Sequence, residues 1–220
     1  DTLYNTTGDN NVAVGRDAMN DNTSGAENVA IGSYALDANT TADDNVAVGY
    51  QALTDNTTGG SNTAIGKTSL ANNTTANDNT AVGYQTLFTN TTGAQNTAVG
   101  KNVLVNATTA DNNTAMGYHA ADAITTGDLN VAIGADAMGA NTVGDRNVAV
   151  GANALTTYNP STNEDGYNTA IGLNALFSDT TGTTNTALGA KTLEANTTGN
   201  GNVAVGYIAL EANTTGSTST

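Results

Sequence analysis

The chain offers few groups with which to do covalent chemistry. Among its 220 residues His119 is the sole histidine, cysteine is absent, and serine falls in turns or in the C-terminal tail. A Ser/His/Asp or Cys/His system needs a nucleophile, a base and an orienting acid held together. One histidine, expected in an exposed turn after Tyr118, does not supply that. The 20 acidic residues are a different case, because they gather just before a recurring pentapeptide, at Asp9, Glu27, Asp43, Asp44, Asp78, Asp111, Asp128 and Asp145. A glycosidase pair would need two of them on a concave, irregular surface, which a regular repeat does not provide, so no enzyme is expected. Stacked carboxylates repel, and Ca2+ would relieve this by taking several oxygen ligands at once. Gly60, Ala94 and Thr183 interrupt the series, and the Gly-Gly-x-Gly-x-Asp nonapeptide of calcium rolls is missing. A solvated acidic edge without a cofactor is therefore the expectation, with Ca2+ as its rival.

Other rows of like residues accompany the acids. Thr57-Thr58, Thr74-Thr75, Thr91-Thr92 and Thr108-Thr109 would line hydroxyls along one edge, which is what an ice-binding solenoid requires, although their place beside Asn and Gly is that of a turn. The preceding asparagines make Asn-Thr-Thr triplets that match glycosylation acceptors, a match that a structural turn also explains. Tyr50, Lys67, Tyr84, Lys101 and Tyr118 alternate with a period of 34 residues, a spacing that allows cation–π contacts worth roughly 0.5 to 1 kcal/mol at exposed sites.

These rows exist because the chain repeats. The pentapeptide Asn-(Val/Thr)-Ala-(aliphatic)-Gly starts at Asn11, Asn28, Asn45, Asn62, Asn79, Asn96, Asn113, Asn130, Asn147, Asn168, Asn185 and Asn202, a spacing of 17 residues with a single step of 21. With that Asn as position 0, the unit continues with Ala-Leu at positions 7 and 8 and Asn-Thr-Thr-Gly/Ala at positions 11 to 14. Two glycines in most units and many β-branched residues exclude helical repeats. The alternation in Asn-Val-Ala-Val-Gly is that of a short strand. The fold class expected is all-β: a parallel β-solenoid or β-roll of about twelve 17-residue coils, two short strands per coil, forming a single array over residues 1–216 with a disordered tail at 217–220.

Within a coil the aliphatic position 3 (Val14, Ile31, Val48, Ile65, Val82, Val99) and position 8 (Leu36, Leu53, Leu70, Leu87) are expected to point inward as the core. The position-0 asparagines (Asn11, Asn28, Asn45, Asn62, Asn79, Asn96) are expected to stack as a ladder, each amide donating to one neighbour and accepting from the other. Two large side chains per coil make a thin core, and ordering each residue costs on the order of 1 to 2 kcal/mol. Burial against sister chains, with Ala at position 2 allowing close approach, would make up the difference. The register break at 156–167 should bulge outward, which makes Tyr158 and Tyr167 the candidate recognition residues for a cell-surface glycan or receptor.

Asn-Val-Ala-Val-Gly-Tyr, Asn-Thr-Ala-Ile-Gly, Ala-Leu and Asn-Thr-Thr-Gly, in register over nearly all 220 residues, resemble the repeat region of phage-type tail-fibre proteins and the head repeats of trimeric autotransporter adhesins. The resemblance implies a left-handed parallel β-roll, trimeric about a central axis, at a cell or virion surface and used to extend or attach. Adhesin-head coils are usually shorter than 17 residues, and no stalk or anchor pattern is seen. The leading expectation is an extracellular structural and adhesive fibre segment. A filament of subunits stacked end to end is the first alternative and an ice-binding solenoid the second. With a formal charge of −15, nucleic acid and anionic membrane surfaces would be repelled, and without about 18 consecutive apolar residues no membrane-inserted helix is expected.

Overall fold

In the computed structural model, residues 7–219 are described. Asn5 and Thr6, from the first expected Asn-Thr-Thr-Gly turn, and Thr220 of the expected disordered tail lie outside them. The chain is an all-β parallel β-solenoid, without helix among the described residues, and it forms two compact units, Asp1–Asp111 and Asn112–Thr220. The first holds β1 (Val12–Val14), β2 (Val29–Ile31), β3 (Val46–Val48), β4 (Thr63–Ile65), β5 (Thr80–Val82) and β6 (Thr97–Val99). The second holds β7 (Thr114–Met116), β8 (Val131–Ile133), β9 (Val148–Val150), β10 (Thr169–Ile171), β11 (Thr186–Leu188) and β12 (Val203–Val205). Inside each unit consecutive strands pair in parallel and in strict register, Val12 with Val29 and Ala13 with Ala30, for example. The step of 21 residues is absorbed outside the sheet, so that Val148 still pairs with Thr169 and Ala149 with Ala170.

Each coil has one strand of three residues rather than the two expected. The second segment cannot be a strand because positions 6 and 8 are left-handed: Asp17 has φ 54° and Met19 φ 51°, and the same pair recurs as Gln85 and Leu87. Extended chain would send neighbouring side chains to opposite faces. The left-handed residue at position 8 lets both it and position 7 turn inward, and Ala18 with Met19, Ala35 with Leu36 and Thr86 with Leu87 are fully buried. Backbone pairing between coils continues through this turn, as in Met19 N–H to Ala35 C=O at 3.0 Å and Tyr34 N–H to Arg16 C=O at 2.8 Å.

The strand has the expected period but the opposite phase. Ala30, Ala47, Ala64, Ala81 and Ala98 at position 2 are fully buried, whereas none of the aliphatic residues at position 3 is: Val14, Ile31 and Ile65 are exposed, and Val48, Val82 and Val99 are partly exposed. The inward assignment of Val14, Ile31, Val48, Ile65, Val82 and Val99 is thus overturned. The reason is width. Leu36, Leu53, Leu70 and Leu87 at position 8 are buried completely, as expected, and already reach across the coil. Only a methyl group fits opposite them, so Ala goes in and the branched residues go out.

Glycine at position 4 turns the chain out of the strand. Gly134 has φ 136°, and a Cβ there would stand 2.5 Å from the carbonyl oxygen of Gly151 in the next coil; both the angle and the stacking require glycine. Residues 217–219, expected to be disordered, continue the register instead. Thr218 N–H donates to Asn200 C=O at 2.9 Å and Ser219 N–H to Asn202 Oδ1 at 3.0 Å.

Candidate functional site

The outward phase of the strands creates a surface. Positions 1 and 3 of all twelve strands carry only Val, Ile, Leu, Met and Thr, without one charged residue among them, in a chain with 25 charged side chains. In the first unit Val12 is 46% exposed, Val14 57% and Ile65 40%; in the second Met116 and Leu188 are similarly open and Val205 is 66% exposed. A solvated sheet face would show alternating polar residues. This one is flat, branched and uncharged within each unit, the composition of a face that leaves water.

Position 5 and the residue after it border that face. In the first unit the Arg16 guanidinium lies 5.1 Å from the Tyr34 ring centre, Tyr34 meets Tyr50 edge-on at 6.1 Å, and the Lys67 ammonium lies 5.8 Å from the Tyr50 ring. Lys101 stands 6.0 Å from Tyr84. Three of the five basic residues thus stand in this one column, each against an aromatic ring on an adjacent coil. In the second unit the same column reads Ala135, Ala152, Leu173 and Ala190 after Tyr118, so the apolar face is wider there, with Leu173 half exposed.

The asparagines are structural, and at position 0 the expected amide-to-amide contacts, such as Asn28 Nδ2 to Asn11 Oδ1 at 3.3 Å and Asn96 Nδ2 to Asn79 Oδ1 at 3.2 Å, are accompanied by shorter bonds to backbone. Asn28 Oδ1 accepts from the backbone N–H of Asn45 at 2.9 Å, while its Nδ2 donates to the carbonyl of Ala42 at 2.8 Å. Both partners belong to the backbone running into the next coil. Asn45, Asn62 and Asn79 repeat the arrangement through Asn62, Asn79 and Asn96 N–H and the carbonyls of Gly59, Ala76 and Gly93, as do Asn11 with Asn28 N–H and Gly25. Asn96 Nδ2 likewise reaches the Ala110 carbonyl at 2.7 Å. Amide-to-amide contact is closer at position 11, where Asn73 Nδ2 donates to Asn56 Oδ1 and Asn90 Nδ2 to Asn73 Oδ1, both at 2.9 Å. Because Asn39, Asn56, Asn73 and Asn90 are buried, the Asn-Thr-Thr triplets they begin present no accessible acceptor for a sugar.

The first threonine of each pair and the acids at position 15 are also bonded to backbone, while Thr58, Thr75 and Thr92 are exposed. Thr23, Thr40, Thr57, Thr74 and Thr91 donate their hydroxyls to the carbonyl of the next Thr in the column at 2.7 to 3.0 Å. Asp43, Asp111 and Asp145 accept the backbone N–H of Ala26, Ala94 and Asp128 in the preceding coil at 2.6 to 2.7 Å. Asn77 does the same for Gly60, which is why Asn can stand in that series. Among the described residues no three or more His, Asp or Glu side chains come together as metal ligands. His119 is half-buried rather than exposed, its Nδ1 2.9 Å from Asp122 Oδ2. No concave pocket occurs among the described residues.

The insertion divides the two candidate recognition residues. Residues 161–165 bulge outward as expected, and Tyr167 is exposed, its hydroxyl donating to Asp165 Oδ2 at 2.9 Å while Asp165 also pairs with Arg146. Tyr158, by contrast, is completely buried, with its hydroxyl lacking a hydrogen-bond partner; burial pushes that hydroxyl's pKa well above 10. It cannot read a receptor, because it occupies position 11, the place of the inner amides. The next coil puts another exception there, the fully buried Asp179. Neither role was noticed in the sequence, yet the signal is present: counting eleven residues from Asn147 and Asn168 gives Tyr158 and Asp179.

Against known protein families, characterised proteins and solved structures, the chain has no match.

Proposed function

We propose that this chain is a non-enzymatic segment of an extracellular fibre, at a cell or virion surface, in which three copies associate through their strand faces. The observation that carries the reading is the uncharged face at positions 1 and 3, aliphatic or Met at position 3 and Val or Thr at position 1, left at least partly open by every coil. The position-3 residues range from partly exposed, as at Val48 and Val82, to about half exposed or more, as at Met116 and Val14, so covering one adds on the order of 1 kcal/mol per coil at about 25 cal/mol per Å2. Two or three coils would not offset the roughly 4 to 15 kcal/mol cost of association; a long series of them would. That gives the repetition a purpose beyond the fold. The number three rests on the resemblance of the pentapeptide and the Asn-Thr-Thr-Gly turn to trimeric fibre repeats.

Sedimentation equilibrium tests this directly. The native chain should be trimeric, and Ile65→Asp combined with Val82→Asp should be monomeric while keeping its β-type circular dichroism. A dimer would overturn the stoichiometry, a native monomer at all concentrations would overturn the face, and growth without limit would favour the end-to-end filament.

A further inference from the structure

We propose that Asp179 is a proton switch built into the second unit: as a neutral acid it completes the inner amide column, and on ionisation it loosens the coils of β10 and β11. The column itself supplies the reason. At position 11 the asparagines donate Nδ2 to the carbonyl three residues on, as in Asn56 to Gly59 at 2.8 Å, Asn90 to Gly93 at 2.9 Å and Asn141 to Gly144 at 2.8 Å. Asn141 Oδ1 meanwhile accepts the N–H of Gly144 at 2.8 Å. Asp179 makes the same second contact, Gly182 N–H to Oδ1 at 2.7 Å. Its Oδ2 therefore stands where asparagine has Nδ2, on the side of the Gly182 carbonyl, which takes Asn168 Nδ2 at 2.7 Å and in other coils takes a second donor from position 11, as Gly93 does from Asn79 and Asn90. At Asp179 only the protonated carboxyl can supply that second bond, and the carboxylate would set oxygen against oxygen.

The surroundings favour that form. Asp179 is fully buried and makes no ion pair. Asn185 Nδ2 lies 3.5 Å from its Oδ2, and the Asn196 amide and Thr181 N–H also bond to the carboxyl, but no cation does. The group facing it from the coil before is the Tyr158 hydroxyl, beyond which lie Asp145 and Glu164, all neutral or negative. From the coil after, Asn185 and Asn196 present uncharged amides. Burial raises the carboxyl from 3.8 to about 7, and the bonds from Gly182, Asn196 and Asn185 only partly oppose it. The sign follows. A carboxyl whose pKa is raised on folding binds more protons folded than unfolded, so stability is greatest in acid and falls as pH rises through about 4 to 7.

Hydrogen exchange over residues 168–199, corrected for intrinsic rates, reads the effect in native chain and in Asp179→Asn, which carries the donor at every pH. Between pH 5 and 8 the opening equilibrium of the native chain should rise on the order of 100-fold relative to the variant. Parallel pH profiles in the two would overturn the switch. Independently, the infrared spectrum at pH 6 should contain a protonated carboxyl band that Asp179→Asn lacks; a native spectrum without it would also overturn the proposal.

Discussion

Replacing Asn79 with Ala should open the coil of β5 from the coil of β6 without touching a single large side chain. The native amide is fully buried, accepts from Asn96 N–H at 3.0 Å and donates to the Gly93 carbonyl at 2.9 Å. Its loss has unequal consequences. Gly93 keeps a donor, since Asn90 Nδ2 also reaches it at 2.9 Å. The Asn96 N–H, however, is left buried and without this acceptor, which costs roughly 1 to 3 kcal/mol, and the lost bond to Gly93 adds about 1 kcal/mol. The expected total is about 3 kcal/mol, close to a 100-fold gain in opening. A repeat array does not melt as two states, so the assay is native-state hydrogen exchange at residues 91–99 rather than a single melting temperature. Asn79→Asp sharpens the test: it keeps the acceptor but turns an oxygen toward the Gly93 carbonyl, so its folded pKa should be raised and its deficit should shrink in acid. If Asn79→Ala stays within about 0.5 kcal/mol of native, the position-0 amides are not what joins the coils.

Two further pairs of variants separate inside from outside. Leu87→Ala, at a fully buried position, should cost about 2 to 5 kcal/mol, whereas Val82→Ala, partly exposed in the same coil, should cost under about 1 kcal/mol in the dissociated chain and act instead on association; chemical denaturation of a dilute sample measures both. Gly134→Ala meets the Gly151 carbonyl at 2.5 Å, while Gly206→Ala, at a comparable φ of 123°, meets nothing within 4 Å. Gly206→Ala should therefore show only the backbone penalty of about 1 to 3 kcal/mol, and Gly134→Ala clearly more, as read by thermal unfolding with local exchange.

The coil was legible because its period is strict, and the strand because Asn-Val-Ala-Val-Gly alternates. Which side of the strand faces in was not, since hydrophobic size pointed to Val82 and interior width decided for Ala81. Leu87 lies inside because position 8 stands on the left-handed turn that points inward, whereas Val82 stands on the outward side of the strand. The left-handed residues carry no sequence mark, since position 6 is as varied as Asp17, Tyr34 and Gln51 and position 8 is mostly Leu, a residue that does not favour that conformation; tertiary packing imposes them. Asp179 and Tyr158 are readable only by counting the register on both sides of the insertion, eleven residues from Asn168 and from Asn147.

The claim that the strand faces meet one another can be measured by a single spin label. The chain has no cysteine, so Tyr84→Cys, beside the face rather than in it, gives one nitroxide per copy. The face-to-face trimer predicts dipolar coupling between three labels, abolished by dilution with unlabelled chain. Uncoupled labels in a sample that remains fully soluble at high concentration would contradict it.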